Sequence, residues 1–339
     1  MSEPAPHPTS SPRLALTRTT MAVLAGICFV LFAAAVYWAV LLNSHRHQQS
    51  YAEAQTWLRV GQMSRAISVQ VQTLLSGLDY TLRAMENEYE AGDQIAFERA
   101  VRAVLDTYPQ GTVIQVAVAD ASGQVVYSST TKPGEAPAQV SIRDREHFQA
   151  HLGPKPGGLF VGRPVLGRIS NQWSIQLSRA LRRDGQLIGV LVLSLSPDYI
   201  AQYFHAVFER PEDVIVLLRE DGAYLARSHH QEAVLGTSVP DERVAQFVPS
   251  AQHGTYEARA AVDQGDRLYA WSRVEGFPLI VSAGLDRAAV FSPVHDSLRR
   301  SLVRNSVGTA LIAYSTRWRT RFHADGGQCS SVMADTVPR

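Results

Sequence analysis

Apolar and polar positions along the chain change their pattern several times. Met21 to Leu42 is an unbroken apolar run, MAVLAGICFVLFAAAVYWAVLL. At about 1.5 Å per residue it reaches roughly 33 Å, against a hydrocarbon core of about 30 Å, so it predicts a transmembrane helix over residues 21–43. Tyr37 and Trp38 sit near one end, where interfacial aromatics belong. A cleaved signal peptide would have a shorter apolar region followed by small residues, whereas Ala33, Ala34 and Ala35 fall inside this one. Arg13 and Arg18 precede the run and Arg46 follows it. The positive-inside rule then makes residues 1–20 a cytoplasmic leader. Its first twelve residues, rich in Ser and Pro, read as disordered.

From Gln48 to Tyr89 there is no proline, and Trp57, Val60, Ile67, Val71, Leu74, Leu78, Met85 and Tyr89 recur at helical spacing, with Ser64 filling one gap. This stripe predicts a long helix. It reads two ways: as a helix packed along its own domain, which suits the later half, or as a dimer seam leaving the membrane. Ile95 to Leu105 predicts a second helix stopped near Pro109, so residues 44–109 form a helical stalk and second helix.

Strand patterns follow. Val113 to Ala119 and Gln124 to Ser129 flank a hairpin turn at Asp120-Ala-Ser-Gly123. Asp144 to Leu152 reads as a short helix with Asp144 as its N-cap. Trp173 to Leu181 and Leu187 to Leu195 are strands around Arg183-Asp-Gly185, and Pro197 and Asp198 open a helix from Tyr199 to Phe208. Residues 211–290 repeat this order in shortened form. Val214 to Arg219 and Tyr224 to Arg227 flank Glu220-Asp-Gly222, a short helix spans Asp241 to Phe247, and strands cover Gly254 to Ala260, Arg267 to Val274 and Leu279 to Leu285, with Asp286 opening a helix. The segments DASGQVVYS at 120–128 and EDGAYLARS at 220–228 run parallel, as do GQLIGVLVLSL at 185–195 and GFPLIVSAGL at 276–285. The repeat predicts two domains of one kind, at 110–210 and 211–290. The expected fold class is α+β: one N-terminal transmembrane helix, a long helix, and two antiparallel sheets flanked by helices.

Composition narrows the function. A formal net charge of +1 gives no electrostatic footprint for nucleic acid. The two cysteines, Cys28 in the apolar run and Cys329 near the end, make no disulfide framework and too few ligands for a cysteine zinc site. There is no Gly-x-Ser-x-Gly elbow and no phosphate-binding glycine loop. Gly157-Gly158 is explained by a tight turn before a strand. His229 and His230, as strand neighbours, would point to opposite faces and share a metal poorly. No catalytic group, metal or cofactor is expected.

Four segments carry a resemblance. IRDREHF at 142–148, GLFVGRPV at 158–165, WSIQLSR at 173–179 and GQLIGVLVLSLSPDY at 185–199 resemble, in this order, the double Cache (PAS-like) sensor region. They are most similar to the periplasmic input of membrane-bound diguanylate cyclases, and then of sensor histidine kinases. The resemblance covers about residues 45–295. It implies a bacterial inner-membrane receptor with a periplasmic sensor, a small-molecule pocket in the membrane-distal domain, and a cytoplasmic output. A cyclase signature is absent from the chain, and a second membrane helix should begin near Ser301. Over 291–315 that helix reads as incomplete, because its uncharged part is only about ten residues, short of a span. The tail at 316–339 loses periodicity, which suggests a truncation or frameshift of the gene inside that helix.

The resemblance points first to Arg145, which could hold a carboxylate through two parallel hydrogen bonds or instead pair with Asp144 or Glu146 on the surface. Arg179 shares an alternation face with Trp173, Ile175 and Leu177, and reads as a second anion contact or a solvent-facing strand end. Trp173 and Phe148 read as pocket walls or ordinary core. Tyr127 presents a hydroxyl or packs on the hairpin. Asp198 receives a ligand amine or, more simply, caps a helix. Two functions compete: a membrane-anchored, dimeric receptor for a carboxylate or amino acid, and a scaffold that dimerises through the stripe from Trp57 to Leu78. A secreted enzyme lacks a recognisable nucleophile–base pair.

Overall fold

The computed structural model describes residues 18–325 apart from 133, 154–157 and 209, with the side chains at 18–20, 23 and 316–325 outside that description. Leader residues 1–17, Gly157 and the final residues 326–339 lie outside the described residues. The described chain forms two compact units, one of which holds residues 54–291.

Helix α1 (Arg18–Ala91) is one uninterrupted helix of 74 residues. Within residues 54–291 its most deeply buried positions are Val60, Ser64, Ile67, Val71, Leu75, Leu78, Leu82 and Met85, each 4% exposed or less. Steps of three and four residues keep them on one face. Helix α2 (Gln94–Thr107) starts at Asp93, whose side chain accepts the Ala96 N–H at 2.9 Å. It buries Phe97, Val101 and Val104, and ends before Pro109.

Strands β1 (Val113–Asp120) and β2 (Val125–Ser128), the short helix α3 (Glu146–Gln149), and strands β3 (Phe160–Leu166), β4 (Trp173–Arg183) and β5 (Gln186–Leu195) make a first antiparallel sheet, ordered β2-β1-β5-β4-β3. After helix α4 (Pro197–Val207), strands β6 (Val214–Arg219) and β7 (Tyr224–Arg227), helix α5 (Asp241–Val244), and strands β8 (His253–Arg259), β9 (Asp266–Val274) and β10 (Leu279–Asp286) make a second, ordered β7-β6-β10-β9-β8. The two orders are the same, and the first hairpin of each sheet has the same register. Ala117 pairs with Ser128 as Val216 pairs with Arg227, and a bulge follows one pair later in each hairpin. Both hairpin turns need glycine. Gly123 (φ +89) and Gly222 (φ +84) are left-handed, and a Cβ would lie 2.7 Å from the Arg143 side chain at the first and 2.6 Å from that of Val244 at the second. The repeat legible in the sequence is therefore a repeat of topology.

One face of each sheet covers α1. Ile175, Leu177 and Leu181 of β4, Leu191 and Leu193 of β5, and Ile215, Leu217, Ala270, Val281 and Ala283 of the second sheet join the α1 stripe in one core. Each fully buried leucine, isoleucine or valine among them contributes about 1.5–3 kcal/mol. Ser64 and Ser272 hydroxyls meet at 2.6 Å inside this layer. The stripe from Val60 to Leu78 is thus a core seam, and the reading of it as a dimer seam is corrected: its apolar face is covered by the chain's own strands. The exposed apolar residues of α1 in this unit, Leu58, Val69 and Tyr80, lie on the opposite side of the helix.

The other unit contains residues 18–53 of α1 and residues 292–325 of helix α6 (Arg287–Asp325), which Asp286 opens by accepting the Ala289 N–H at 2.7 Å. The apolar part of α1 reaches a mean hydropathy of 2.4, and among the described residues α1 alone is long and apolar enough to cross a membrane. Residues 291–315 belong to the 39-residue helix α6, which continues through Asp325, so residues 316–325 are helical as well. Tyr37 Oη donates to Asn305 Oδ1 at 2.7 Å, and His45 Nε2 lies 3.2 Å from Ser301 Oγ.

Arg179 ties α1 to the first sheet, with Nη1 2.7 Å from Asp79 and Nε 2.5 Å from Glu86. An Arg179→Ala variant takes from Glu86, 20% exposed, its arginine partner, while Asp79, 15% exposed, keeps Arg83 at 2.9 Å. Their residual solvation places the cost at about 2–3 kcal/mol, at or below the range for a broken buried pair. Urea denaturation of the purified chain in detergent should show a correspondingly lower midpoint; an unchanged midpoint would contradict the clamp.

Candidate ligand-binding site

The face of the first sheet turned away from α1 is covered by the segment between β2 and β3, which includes α3, and by the β3–β4 loop. Between sheet and cover lies a half-open cavity, with about 480 Å³ of atom-free space counted to where it opens to solvent. Its floor is made by alternate residues of three strands: Gln115 and Ala117 of β1, Gln176 of β4, Val192 and Ser194 of β5. Three of these are polar groups in otherwise apolar strands, and each is hydrogen-bonded. Ser194 Oγ donates to Gln176 Oε1 at 2.9 Å, Gln176 Nε2 donates to Ser174 Oγ at 2.8 Å, and Gln115 Nε2 donates to Ser128 Oγ at 2.8 Å.

The cover is stapled across the cavity. Arg168 in the β3–β4 loop grips both oxygens of Asp144 at 2.7 and 2.6 Å and also donates to the Ser141 carbonyl. These hydrogen bonds hold the exposed Asp144 carboxyl down at about 2. Asp144 therefore pins the cover and does not cap α3, whose N-cap position is Arg145 without a side-chain bond. Glu146 pairs with Arg219 at 2.9 Å. Both acidic neighbours of Arg145 are thus taken by other arginines. Its own guanidinium makes a single long bond, from Nη2 to the Leu166 carbonyl at 3.4 Å, and among the described residues no carboxylate pairs with it. An arginine at a cavity mouth without a counter-ion can take up a carboxylate through two parallel hydrogen bonds.

His147 lines the same cavity from the cover. Burial, reinforced by Arg145, pushes its pKa down to about 4, so it is neutral near pH 7. Below it, His151 is also pushed down to about 4, by burial and then by Arg182 and Arg179. Ser178 Oγ donates to the His147 carbonyl at 2.9 Å, so the 2.9 Å contact from His151 Nε2 must be a donation to Ser178. That tautomer leaves His151 Nδ1 a bare acceptor, and it has no partner among the described residues.

Of the residues put forward from sequence, Arg145 lines this cavity and the others are placed elsewhere. Phe148 is 1% exposed and packs behind the cover with Ala119, Val190 and Val192. Trp173 and Arg179 do share an alternation face, but it is the face toward α1. Arg179 is neither solvent-facing nor an anion contact, because Asp79 and Glu86 neutralise it. The Trp173 ring rests against Gly236, where a Cβ would lie 2.9 Å from it. Tyr127 packs edge-on against Phe97 of α2 at 5.0 Å, and burial raises its hydroxyl. Asp198 is exposed in the first turn of α4, while Ser196 is the N-cap and accepts the Tyr199 N–H at 3.3 Å. His229 and His230 lie beyond the end of β7, so strand alternation does not govern them; His229 Nε2 instead meets His205 Nδ1 at 3.0 Å. Sequence reasoning missed Gln115, His147, Arg168, Gln176 and Ser194. The readable signal was a polar residue at alternate positions of apolar strands, in VIQVAVAD, WSIQLSRAL and LIGVLVLSL.

Comparison with known proteins bears on this arrangement. The Cache domain family pattern matches residues 44–294. The extracellular domain of the putative histidine kinase rpHK1S-Z16 superposes with a TM-score of 0.62 at 25% identity, covering 71% of this chain and 99% of that one. The ligand-binding domain of the Pseudomonas fluorescens chemoreceptor CtaA in complex with L-isoleucine gives 0.55 at 18% identity, covering 72% and 98%. That of the Pseudomonas aeruginosa PAO1 amino acid chemoreceptor PctB in complex with L-Arg gives 0.54 at 16%, covering 69% and 96%. The latter two identities speak to the fold alone. No curated protein matches the sequence. With a family match over most of its length and a fold shared with sensor domains of histidine kinases and chemoreceptors, the chain belongs to the Cache domain family.

Proposed function

We propose that residues 44–294 are the extracytoplasmic sensor of a bacterial transmembrane signalling receptor, anchored by residues 21–43, and that its ligand is a small carboxylate held in the cavity of the first sheet. One observation carries the choice of ligand: among the described residues Arg145 stands without a counter-ion, at the mouth of a cavity whose lining contains no acidic side chain. A carboxylate would meet the guanidinium, and its polar substituents would meet Gln115, Gln176 and Ser194. The CtaA and PctB domains bind amino acids. Here an amino acid's ammonium would find no carboxylate in the lining, so a carboxylate without a free amine fits it better. We read the region as a binding module that works by drawing the cover onto the sheet. Both long helices that flank the module, α1 and α6, run on into the membrane-side segments and are the natural route for the signal.

Calorimetry of the chain in detergent against a panel of small carboxylates and amino acids should find a carboxylate ligand. Arg145→Ala should weaken its binding at least about tenfold, in line with about 1.5–3 kcal/mol for a charge-assisted pair, and Arg145→Lys should weaken it less. The urea midpoint should stay unchanged. Equal affinity of the wild type and Arg145→Ala would sink the assignment.

The two buried histidines predict a pH dependence of stability. They are neutral in the folded chain down to about pH 4, whereas in the unfolded chain they take up protons from about pH 6.5. Between these values the unfolded state binds more protons, so stability rises with pH and is lost on acidification, by up to about 1.4 kcal/mol per pH unit for each histidine. Urea midpoints at pH 7, 6 and 5 should fall steadily, and His151→Gln should flatten the slope. A midpoint independent of pH over this window would be the contrary result.

A further inference from the structure

The second sheet carries a cavity in the same place as the first: on the face away from α1, under the segment that includes α5, with about 450 Å³ of atom-free space. The strand registers align the two cavities residue by residue. Tyr224 stands where the first has Val125, Arg227 where it has Ser128, Tyr269 where it has Gln176, and Ser282 where it has Val192. A floor of neutral amides and small side chains is thus replaced by tyrosines and an arginine.

Charge decides what such a cavity can hold. Arg227 and Arg267, 2% and 4% exposed, share the single carboxylate of Asp263, with contacts of 2.7 to 2.9 Å. Burial works against the Asp263 anion, but the two guanidiniums outweigh it and hold the carboxyl well below its usual range. Asp213, near Arg267, is engaged by the Asp286 N–H at 2.8 Å, and burial pushes its carboxyl up. A third cation, Arg243 of α5, lies at the rim, stacked 4.7 Å above the Tyr256 ring and 5.5 Å from that of Tyr269. Positive charge therefore exceeds negative charge around the cavity. Three tyrosine rings would otherwise suit a cationic ligand, but Arg243 already occupies that aromatic face. Hydroxyl donors complete the lining. Tyr256, pushed up to about 12 by burial, stays protonated and lies 3.1 Å from Ser282 Oγ. Among the described residues the Tyr224 hydroxyl has no hydrogen-bond partner.

We propose that this cavity is a second ligand site, in which a small monocarboxylate binds between the Arg243 guanidinium, the buried Arg227–Asp263–Arg267 cluster and the Tyr224 hydroxyl. Arg243, stacked over Tyr256 at the rim and donating through Nη2 to the Arg259 carbonyl at 3.3 Å, supplies its remaining N–H groups to the anion. The site stands apart from Arg145 and its cavity, so a sensor with two unlike pockets could report two carboxylates, or one at two concentrations.

The test uses the full chain in detergent and isothermal titration with acetate, lactate and pyruvate, with Arg145→Ala as background so that the first cavity does not contribute. That variant should still bind one of these anions at one per chain. Adding Arg243→Ala should weaken binding at least tenfold, and Tyr224→Phe should weaken it several-fold, with the urea midpoint within error of the background in both. Arg243 sits at the rim, so its loss spares the core. If the Arg145→Ala chain binds none of the three, or if binding survives both Arg243→Ala and Tyr224→Phe, the second site is overturned. Identical binding by the wild type and Arg145→Ala would instead count against the first cavity while leaving this one standing.

Discussion

Burial of one face of α1 organises everything else in residues 54–291. The buried positions from Val60 to Met85 serve both sheets as one core, so each sheet spends one of its two faces on the helix. The opposite faces are left for the cover segments, and both cavities form there. A helix that packed on one sheet alone would leave a second sheet with two open faces and no shared frame. The same constraint explains why Ser64 and Ser272 meet as a hydroxyl pair: a polar group at the seam is admitted only with its partner in place.

Arginine does two different jobs on the two sides of the first sheet. On the α1 side, Arg179 is buried and neutralised by Asp79 and Glu86, so it holds layers together. On the cavity side, Arg145 is half-buried and its acidic neighbours are diverted, Asp144 to Arg168 and Glu146 to Arg219. Residue type is the same in both places; what differs is whether a carboxylate is already there. The second sheet shows an intermediate case, with two buried arginines around one aspartate beside a cavity.

Much of the fold was legible before any coordinates. Turn residues at 120–123 and 220–222, the apolar strands and the helical stripe all come from local rules, and the observed elements follow them within a few residues. The duplication was legible because two hairpins with the same turn chemistry recur. The choice of faces was not. Period-two alternation sorts β4 into two sets, but nothing local says which set meets the helix. Trp173, Arg179 and Tyr127 were therefore drawn to the cavity, when their face is the one α1 and α2 cover. Helix caps were misplaced for a related reason: Ser196 competes with Asp198, and Asp144 finds a better partner in Arg168, 24 residues away. The more informative signal was a buried amide, Gln115 or Gln176, in a strand of aliphatic residues, since such a group is kept only when something polar is to be met.

The central claim is that ligand is taken up on the face away from α1, beneath the cover. Hydrogen–deuterium exchange of the full chain, with and without a saturating carboxylate that binds it, addresses this directly. The account predicts slowed exchange at residues 140–151 and 165–169, with little change along residues 60–85 of α1. Slowed exchange confined to α1, with the cover unaltered, would contradict it.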